Sequence, residues 1–249
     1  MTIELTRSYE FLAGAVFMLA VASVIYLLFP VARTAMRWTG LACAPLGPGF
    51  EQLYMRDSWL PIFCICFKVG PFRFGIEDFI LAASVAAIGA GVSEAVLART
   101  HRIGFPKATR AGVCRLMGGG VIALAATWML SDAGVHSMHA QFLVVFGIWF
   151  AMVASRRPQW ICSSLAAAFA MAALMGIFYT TYYLQLFPDI IDRWWIKEKY
   201  WGLFLGPLPV EEFLWGGICA LYCGTTARFC FENTDRSVIG ITHRSPLES

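Results

Sequence analysis

The stretch FRFGIEDFILAASVAAIGAGVSEAVL, residues 72–97, decides the fold of this chain. It is apolar over a membrane-crossing length, since about 20 apolar residues span the hydrocarbon core as a helix. It also opens on two acids, Glu77 and Asp78. A charged side chain inside a spanning helix costs roughly 3 kcal/mol on insertion scales, and such residues usually face a bundle interior or carry protons. The stretch therefore predicts a membrane helix with a functional group at its start.

The whole chain has the same character. Its 249 residues are 59% hydrophobic and 14% charged, with a mean hydropathy of +0.65, which is outside the range of soluble domains. Six stretches have the required length: 10–30, 72–97, 112–131, 138–155, 162–187 and 206–228. We predict an all-α membrane fold, a polytopic bundle of six spans in one transmembrane domain over residues 1–249. A seventh span at Trp59–Phe67 is the alternative, but this segment is short and is expected to be re-entrant or interfacial.

Charge and cysteine content argue against a nucleic-acid-binding protein and against zinc or disulfide sites. The net charge of +3 is small, and Lys and Arg are confined to loops, so no nucleic-acid partner is expected. The eight cysteines match no zinc or disulfide spacing and are interpreted as packing residues. The expected location is the cell membrane, as a multi-pass protein in contact with the lipid bilayer. Assembly into a homo-oligomer is an alternative that the sequence leaves open.

The basic residues orient the bundle. The loop with Arg99, Arg102, Lys107, Arg110 and Arg115 is predicted to be cytoplasmic, as is the tail, residues 229–249. The seven-span alternative, with the N-terminus outside, gives the stronger excess of Lys and Arg on the cytoplasmic side. In both topologies the acids at the start of the second span lie on the opposite side.

A second acidic string opens the last span. It reads Pro209-Val210-Glu211-Glu212-Phe213, and like Gly75-Ile76-Glu77-Asp78-Phe79 it follows a Gly-Pro pair. The correspondence predicts a parallel internal repeat, with halves at about 1–111 and 112–228. Parallel repeats are related by an axis along the membrane normal, and the site usually lies between the halves. The two acid pairs are therefore expected to face each other.

The second string, together with the Trp-rich approach Asp192-Arg193-Trp194-Trp195, resembles the small integral-membrane lycopene cyclases. That family occurs as half-length subunits or as a fused chain, and carries a Pro-x-Glu-Glu string in each half. In the first string here Gly75 stands in place of the Pro and Asp78 in place of the second Glu. The resemblance implies that the chain cyclises a carotenoid or isoprenoid ψ end group, with a hydrophobic polyene as substrate.

Such a cyclisation asks for an acid, a base and a dry aromatic pocket. A proton adds to a terminal double bond, the cation closes a ring, and a neighbouring proton leaves. Two carboxyl groups in one buried site can divide the acid and base roles. The acid and base candidates are Glu211, Glu212, Glu77 and Asp78. Ring faces for the cation are expected from Trp215, Phe213, Phe79, Trp194 and Tyr182, with Trp195, Trp201, Tyr179 and Tyr183 as further sources.

No cofactor and no metal are expected. The glycines at 118–120 lie inside a span, where small residues allow close helix packing, and no dinucleotide-binding motif is present. His136 and His139 are a weak metal signal in a short loop, and solvation is the simpler interpretation. A metal-dependent lipid-modifying enzyme that uses them is a third hypothesis.

Other interpretations of the acids stay open. Acids in a first helical turn are favoured by the helix dipole alone, and Pro209 suits a first turn. The same carboxylates would also suit a non-catalytic carotenoid or lipid binder, or a proton-coupled transporter. The aromatic residues near Trp194 fit a membrane-interface belt as well. Glu94 is interpreted as a partner of Arg99 rather than as part of the site.

Overall fold

A computed structural model describes residues 2–5, 8–101, 105–106 and 108–232. Helices make up 78% of the structure, and the predicted all-α membrane bundle is confirmed. The predicted cytoplasmic positions of Arg102, Lys107 and tail residues 233–249 lie outside the described residues.

Ten α-helices and five short strands make up the described part of the chain. The helices are α1 (Glu10–Leu28), α2 (Arg33–Cys43), α3 (Gly47–Asp57), α4 (Ile76–His101), α5 (Arg110–Asp132), α6 (Met138–Arg156), α7 (Ile161–Ile177), α8 (Leu184–Leu186), α9 (Ile190–Trp194) and α10 (Val210–Glu232). The strands are β1 (Thr2–Leu5), β2 (Ile65–Val69), β3 (Phe72–Gly75), β4 (Phe204–Leu205) and β5 (Leu208–Pro209). A π-helical segment, Phe178–Tyr183, joins α7 to α8.

Five helical segments of the described chain are long and apolar enough to cross a membrane. They are Glu10–Leu28, Ile76–His101, Arg110–Asp132, Met138–Arg156 and Pro158–Leu186. These are the first five stretches that the sequence predicts. Helix α10 occupies the sixth stretch and has 23 residues, but charged residues near both ends lower its hydropathy.

Helix α10 lies in the middle of the bundle, against α4, α5, α6 and α7. It runs parallel to α4, because Gly89 of α4 contacts Ala220 of α10 and, one turn further along both helices, Ser93 contacts Gly224. A Cβ atom added to Gly89 would come within 2.7 Å of the Ala220 Cα. The two helices that carry the acidic strings are therefore closely packed neighbours with their starts at the same end of the bundle.

An additional helical pass lies between α1 and α4. Residues 30–57 are helical almost throughout, and they run antiparallel to α4: Met36 lies at Gly91, Gly40 at Ala83 and Gly47 at Asp78. Within the described residues the bundle thus has seven helical passes. The sequence did not indicate this one because several Gly, Pro and charged residues interrupt its apolar pattern. The N-terminal end of α1 is consequently at the same end as the acids, as the seven-span alternative required.

The segment Trp59–Phe67 does not supply the seventh pass, so the alternative was wrong about its location. It is extended: Trp59 forms a bridge with Trp195, and β2 pairs with both β1 and β3 in an antiparallel sheet. This sheet covers the end of the bundle from which α4 starts.

A buried ion pair joins α4 to α10 at the other end of the bundle. Arg228 Nε and Nη2 donate to the two Glu94 oxygens, at 2.9 and 2.7 Å, and Nη1 donates to Glu232 at 3.5 Å. Arg228 and Glu94 are each 1% exposed. The predicted pairing of Glu94 with Arg99 is therefore wrong, because α10 brings a closer cation to the same depth.

Candidate functional site

Two hairpins position the acids. The turn between β2 and β3 and the turn between β4 and β5 each contain a glycine with positive φ, Gly70 at 59° and Gly206 at 63°. Tight hairpin turns need that conformation, and glycine adopts it without steric cost. The first hairpin is followed directly by α4 and the second by α10, and the first turn of each helix holds an acid pair.

The first acid of each pair binds the loop before its hairpin. Glu77 Oε1 accepts a hydrogen bond from the backbone N–H of Cys64 at 2.6 Å, and Glu211 Oε1 accepts one from the backbone N–H of Trp201. Both side chains are completely buried, and Oε2 of each has no hydrogen-bond partner. These two residues hold the preceding loops against the starts of α4 and α10 in the same way.

The second acid of each pair faces a cavity. Asp78 Oδ2 accepts from the backbone N–H of Gly75 at 2.9 Å, which caps the start of α4, while Oδ1 has no partner. Glu212 is 8% exposed and accepts from three side chains. The Tyr179 hydroxyl donates to Oε2 at 2.8 Å, and Trp195 Nε1 and the Tyr200 hydroxyl donate to Oε1 at 2.8 and 3.0 Å.

Glu212 lines a first cavity, of about 60 Å³, which we call cavity 1. Most of its wall is aromatic. The lining consists of Phe11, Gly14, Met18, Glu51, Tyr54, Trp59, Leu81, His139, Met175, Phe178, Tyr179, Tyr183, Tyr200, Glu212 and Trp215.

Asp78 lines a second, larger cavity of about 110 Å³, cavity 2. Its wall is almost entirely apolar, with Asp78 and Glu51 as its carboxyl groups. The lining consists of Cys43, Leu46, Gly47, Phe50, Glu51, Tyr54, Asp78, Leu81, Ala82, Val85, Ala86, Gly120, Ala123, Phe142, Phe146, Trp215, Cys219, Tyr222 and Cys223.

The two cavities adjoin. Glu51, Tyr54, Leu81 and Trp215 line both of them and so form a shared wall. Of the described residues, neither lining contains Lys or Arg, so no cation neutralises the carboxyl groups there. Burial of a carboxyl group without a cation is costly, and such an arrangement is typical of functional sites.

The four predicted acids are therefore only partly brought together. Glu212 lines cavity 1 and Asp78 lines the adjoining cavity 2, whereas Glu77 and Glu211 accept hydrogen bonds from backbone amides and line neither cavity. The four acids were predicted to face one another in one pocket, and the structure does not bring all four together. The physical reason is that successive residues of a helix point about 100° apart, so the two acids of a pair face different neighbours.

The predicted aromatic residues divide in a similar way. Trp215 lines both cavities, and its ring contacts Tyr54 edge to face at 6.0 Å. The other four line neither cavity. Phe213 packs at Gly176, Phe79 contacts Phe74, Tyr182 contacts Phe17, and Trp194 packs on Phe11 and Trp59 behind cavity 1.

Sequence reasoning missed several lining residues. Glu51 and Tyr54 lie in the pass that was not predicted, and Tyr200 lies in an irregular loop. His139 was assigned to a solvated loop, but it is 7% exposed at the start of α6, and its ring lies 5.4 Å from that of Tyr200. His136 is exposed, and no cluster of three or more His, Cys, Asp or Glu suited to a metal occurs among the described residues.

A comparison with models of known protein families gives a match. Residues 122–230 match the family model for lycopene cyclase. The matched part contains α6, α7 and the acid pair Glu211 and Glu212, and it stops short of the first acid pair. The resemblance to this family is therefore confirmed over the second half of the chain. Neither the search of curated proteins nor the search of solved structures gave a match.

Proposed function

We propose, from the match of residues 122–230 to the lycopene cyclase family, that this chain cyclises the ψ end group of a linear carotenoid within the membrane. The match supports a cyclase-type enzyme in carotenoid biosynthesis. The reaction mechanism, the membrane location and the roles of individual residues are our proposal. The observation that carries it is Glu212, buried in an aromatic cavity and held by three hydrogen-bond donors.

The reaction is an isomerisation. A carboxylic acid gives its proton to one carbon of the terminal double bond, and the adjacent carbon becomes a cation. A second double bond of the chain attacks this cation and closes a six-membered ring, which moves the charge to a ring carbon. Loss of a proton from a carbon next to that charge restores a double bond. No electrons are gained or lost overall, so the chemistry requires no redox cofactor.

We assign the base role to Glu212. All three of its neighbours are donors, which arranges the carboxyl group as an acceptor. The hydroxyl of Tyr179 occupies one acceptor site of Oε2, and the other site of that oxygen remains for the departing proton. A positioned acid or base contributes about 100-fold to 10,000-fold to a rate.

The rings of cavity 1 would stabilise the cation. Tyr54, Trp59, Phe178, Tyr179 and Trp215 present ring faces or edges to this cavity. A cation over an aromatic face gains roughly 0.5 to 2 kcal/mol, more where water is excluded, and a ring does not trap the cation by forming a bond to it. The adjoining apolar cavity 2 would receive the part of the polyene that follows the reacting end.

The helices of the bundle suit a substrate that is dissolved in the bilayer. Five segments are apolar enough to cross it, and many of their large apolar side chains are exposed on the outer face of the bundle. We place the enzyme in the cell membrane, with the polyene entering from the lipid. A linear hydrocarbon carotenoid has no polar group by which an aqueous site would recognise it.

The test is expression of the chain in a host that accumulates a linear carotenoid. We expect ring-bearing products of the same mass as the substrate, separated by chromatography and identified by their shifted absorption. An empty vector gives the baseline. Protein that binds the carotenoid and returns it unchanged would contradict the proposal and favour the binder. Substrate-driven proton flux in liposomes, without ring product, would favour the transporter.

A further inference from the structure

One buried carboxyl group lies at the junction of the two cavities and has no role in the function proposed so far. Glu51 is in α3, in the helical pass 30–57, outside the part of the chain that matches a known family. It is 5% exposed, and its Oε1 atom has no hydrogen-bond partner. A buried polar atom without a partner is rare and costs about 1 to 3 kcal/mol, so it calls for an explanation.

The position of Glu51 distinguishes it from the other acids. Glu212 lines cavity 1 only and Asp78 lines cavity 2 only, whereas Glu51 lines both. Among the described residues it is the carboxyl group that shares cavity 1 with Glu212. In the reaction proposed above, the proton that arrives and the proton that leaves are on carbons of one forming ring. The acid and the base must therefore contact the same end group, and Asp78 does not reach cavity 1.

The surroundings of Glu51 suit an acid that keeps its proton until it reacts. Glu51 and Asp78 both line cavity 2, and no Lys or Arg of the described residues lines it, so a charged carboxylate is costly there. The Tyr54 hydroxyl, buried and also without a partner, lines the same junction.

We infer that Glu51 is the proton donor of the cyclisation; this inference rests on the proposed function. The O–H bond of Glu51 breaks as a C–H bond forms at the terminal double bond. Ring closure forms one C–C bond, and a ring C–H bond then breaks as its proton passes to Glu212. Glu51 ends as a carboxylate and Glu212 as an acid, and transfer of one proton back to Glu51 restores the enzyme.

The experiment compares the full-length parent with Glu51→Gln, which keeps the shape of the side chain and removes the acid. We expect ring formation to fall about 100-fold or more in kcat, while KM and the amount of linear carotenoid that co-purifies stay close to the parent values. Glu51→Asp, which restores an acid on a shorter side chain, is expected to recover part of the rate. Glu198→Gln, the same change on the exposed surface, is the control and is expected to match the parent.

Two results would overturn the inference. One is a Glu51→Gln variant that forms rings at the parent rate. The other is a variant that loses bound carotenoid in proportion to its activity and is not recovered by Glu51→Asp, since a structural residue would behave in that way. Both results require an active parent. An inactive parent contradicts the proposed function itself, so the two failures are distinguishable.

Discussion

Glu212→Gln is expected to lower ring formation by about 100-fold to 10,000-fold. The amide of Gln keeps the size of the side chain, but it cannot take up the proton that leaves the ring. It also places an NH₂ group opposite Tyr179, Trp195 or Tyr200, whose donors all point at the carboxyl group. The measurement is the rate of product formation by purified protein in detergent or liposomes, with linear carotenoid as substrate.

Glu211→Gln is the matched comparison, one residue away and also buried. Glu211 lines neither cavity and binds the backbone N–H of Trp201, and the carbonyl oxygen of Gln accepts that hydrogen bond as well. We expect this variant to retain activity within about tenfold of the parent, because a neutral acceptor costs roughly 1 kcal/mol here. Equal losses in the two variants would contradict the assignment of the base role to Glu212 alone.

Arg228→Met is expected to destabilise the bundle by about 3 to 5 kcal/mol. The guanidinium group of Arg228 forms two hydrogen bonds to Glu94 between α4 and α10, and removal of one partner from a buried ion pair leaves an uncompensated charge. Since α4 and α10 carry the acid pairs, loss of this contact also weakens the packing between the two helices that position the site. The measurement is the midpoint of thermal unfolding of the purified protein.

The double variant Glu94→Leu with Arg228→Met tests the cause. It removes both charges, and replacement of a buried ion pair by apolar residues is often neutral or stabilising. We expect it to recover most of the loss, whereas Arg156→Met, at an exposed position, should unfold at the parent temperature. A single variant Arg228→Met as stable as the parent would show that the pair contributes little to the fold.

The sequence predicted those parts of the fold whose signal is local. Apolar runs such as 72–97 gave the spanning helices to within a few residues, because membrane helices need about 20 apolar residues in a row. The helical pass 30–57 was not predicted because its apolar pattern is interrupted by several Gly and Pro residues and by Arg33, Arg37, Glu51 and Arg56. It is nevertheless helical, since it packs along α4 and Gly40 and Gly47 allow a close approach.

The candidate site shows the same difference between features with a local sequence signal and features that depend on tertiary packing. The acidic strings marked Glu212 and Asp78 from sequence alone, because acids are costly at that depth. Which acid of each pair faces a cavity depends on the rotation of α4 and α10, and the sequence does not carry that information. Glu51 joins the site only through the antiparallel packing of α3 on α4, a tertiary contact that no motif encodes. The first-half string, with Gly75 and Asp78, lies outside the family match.

The most direct measurement is the mass of the product formed from linear carotenoid by the purified protein in D₂O. We predict a ring-bearing isomer that carries deuterium in the ring, because the proton that starts the cyclisation comes from a carboxyl group that exchanges with solvent. A product that has gained or lost two hydrogens would contradict proton-transfer chemistry. Recovery of the linear carotenoid unchanged would contradict the cyclase itself.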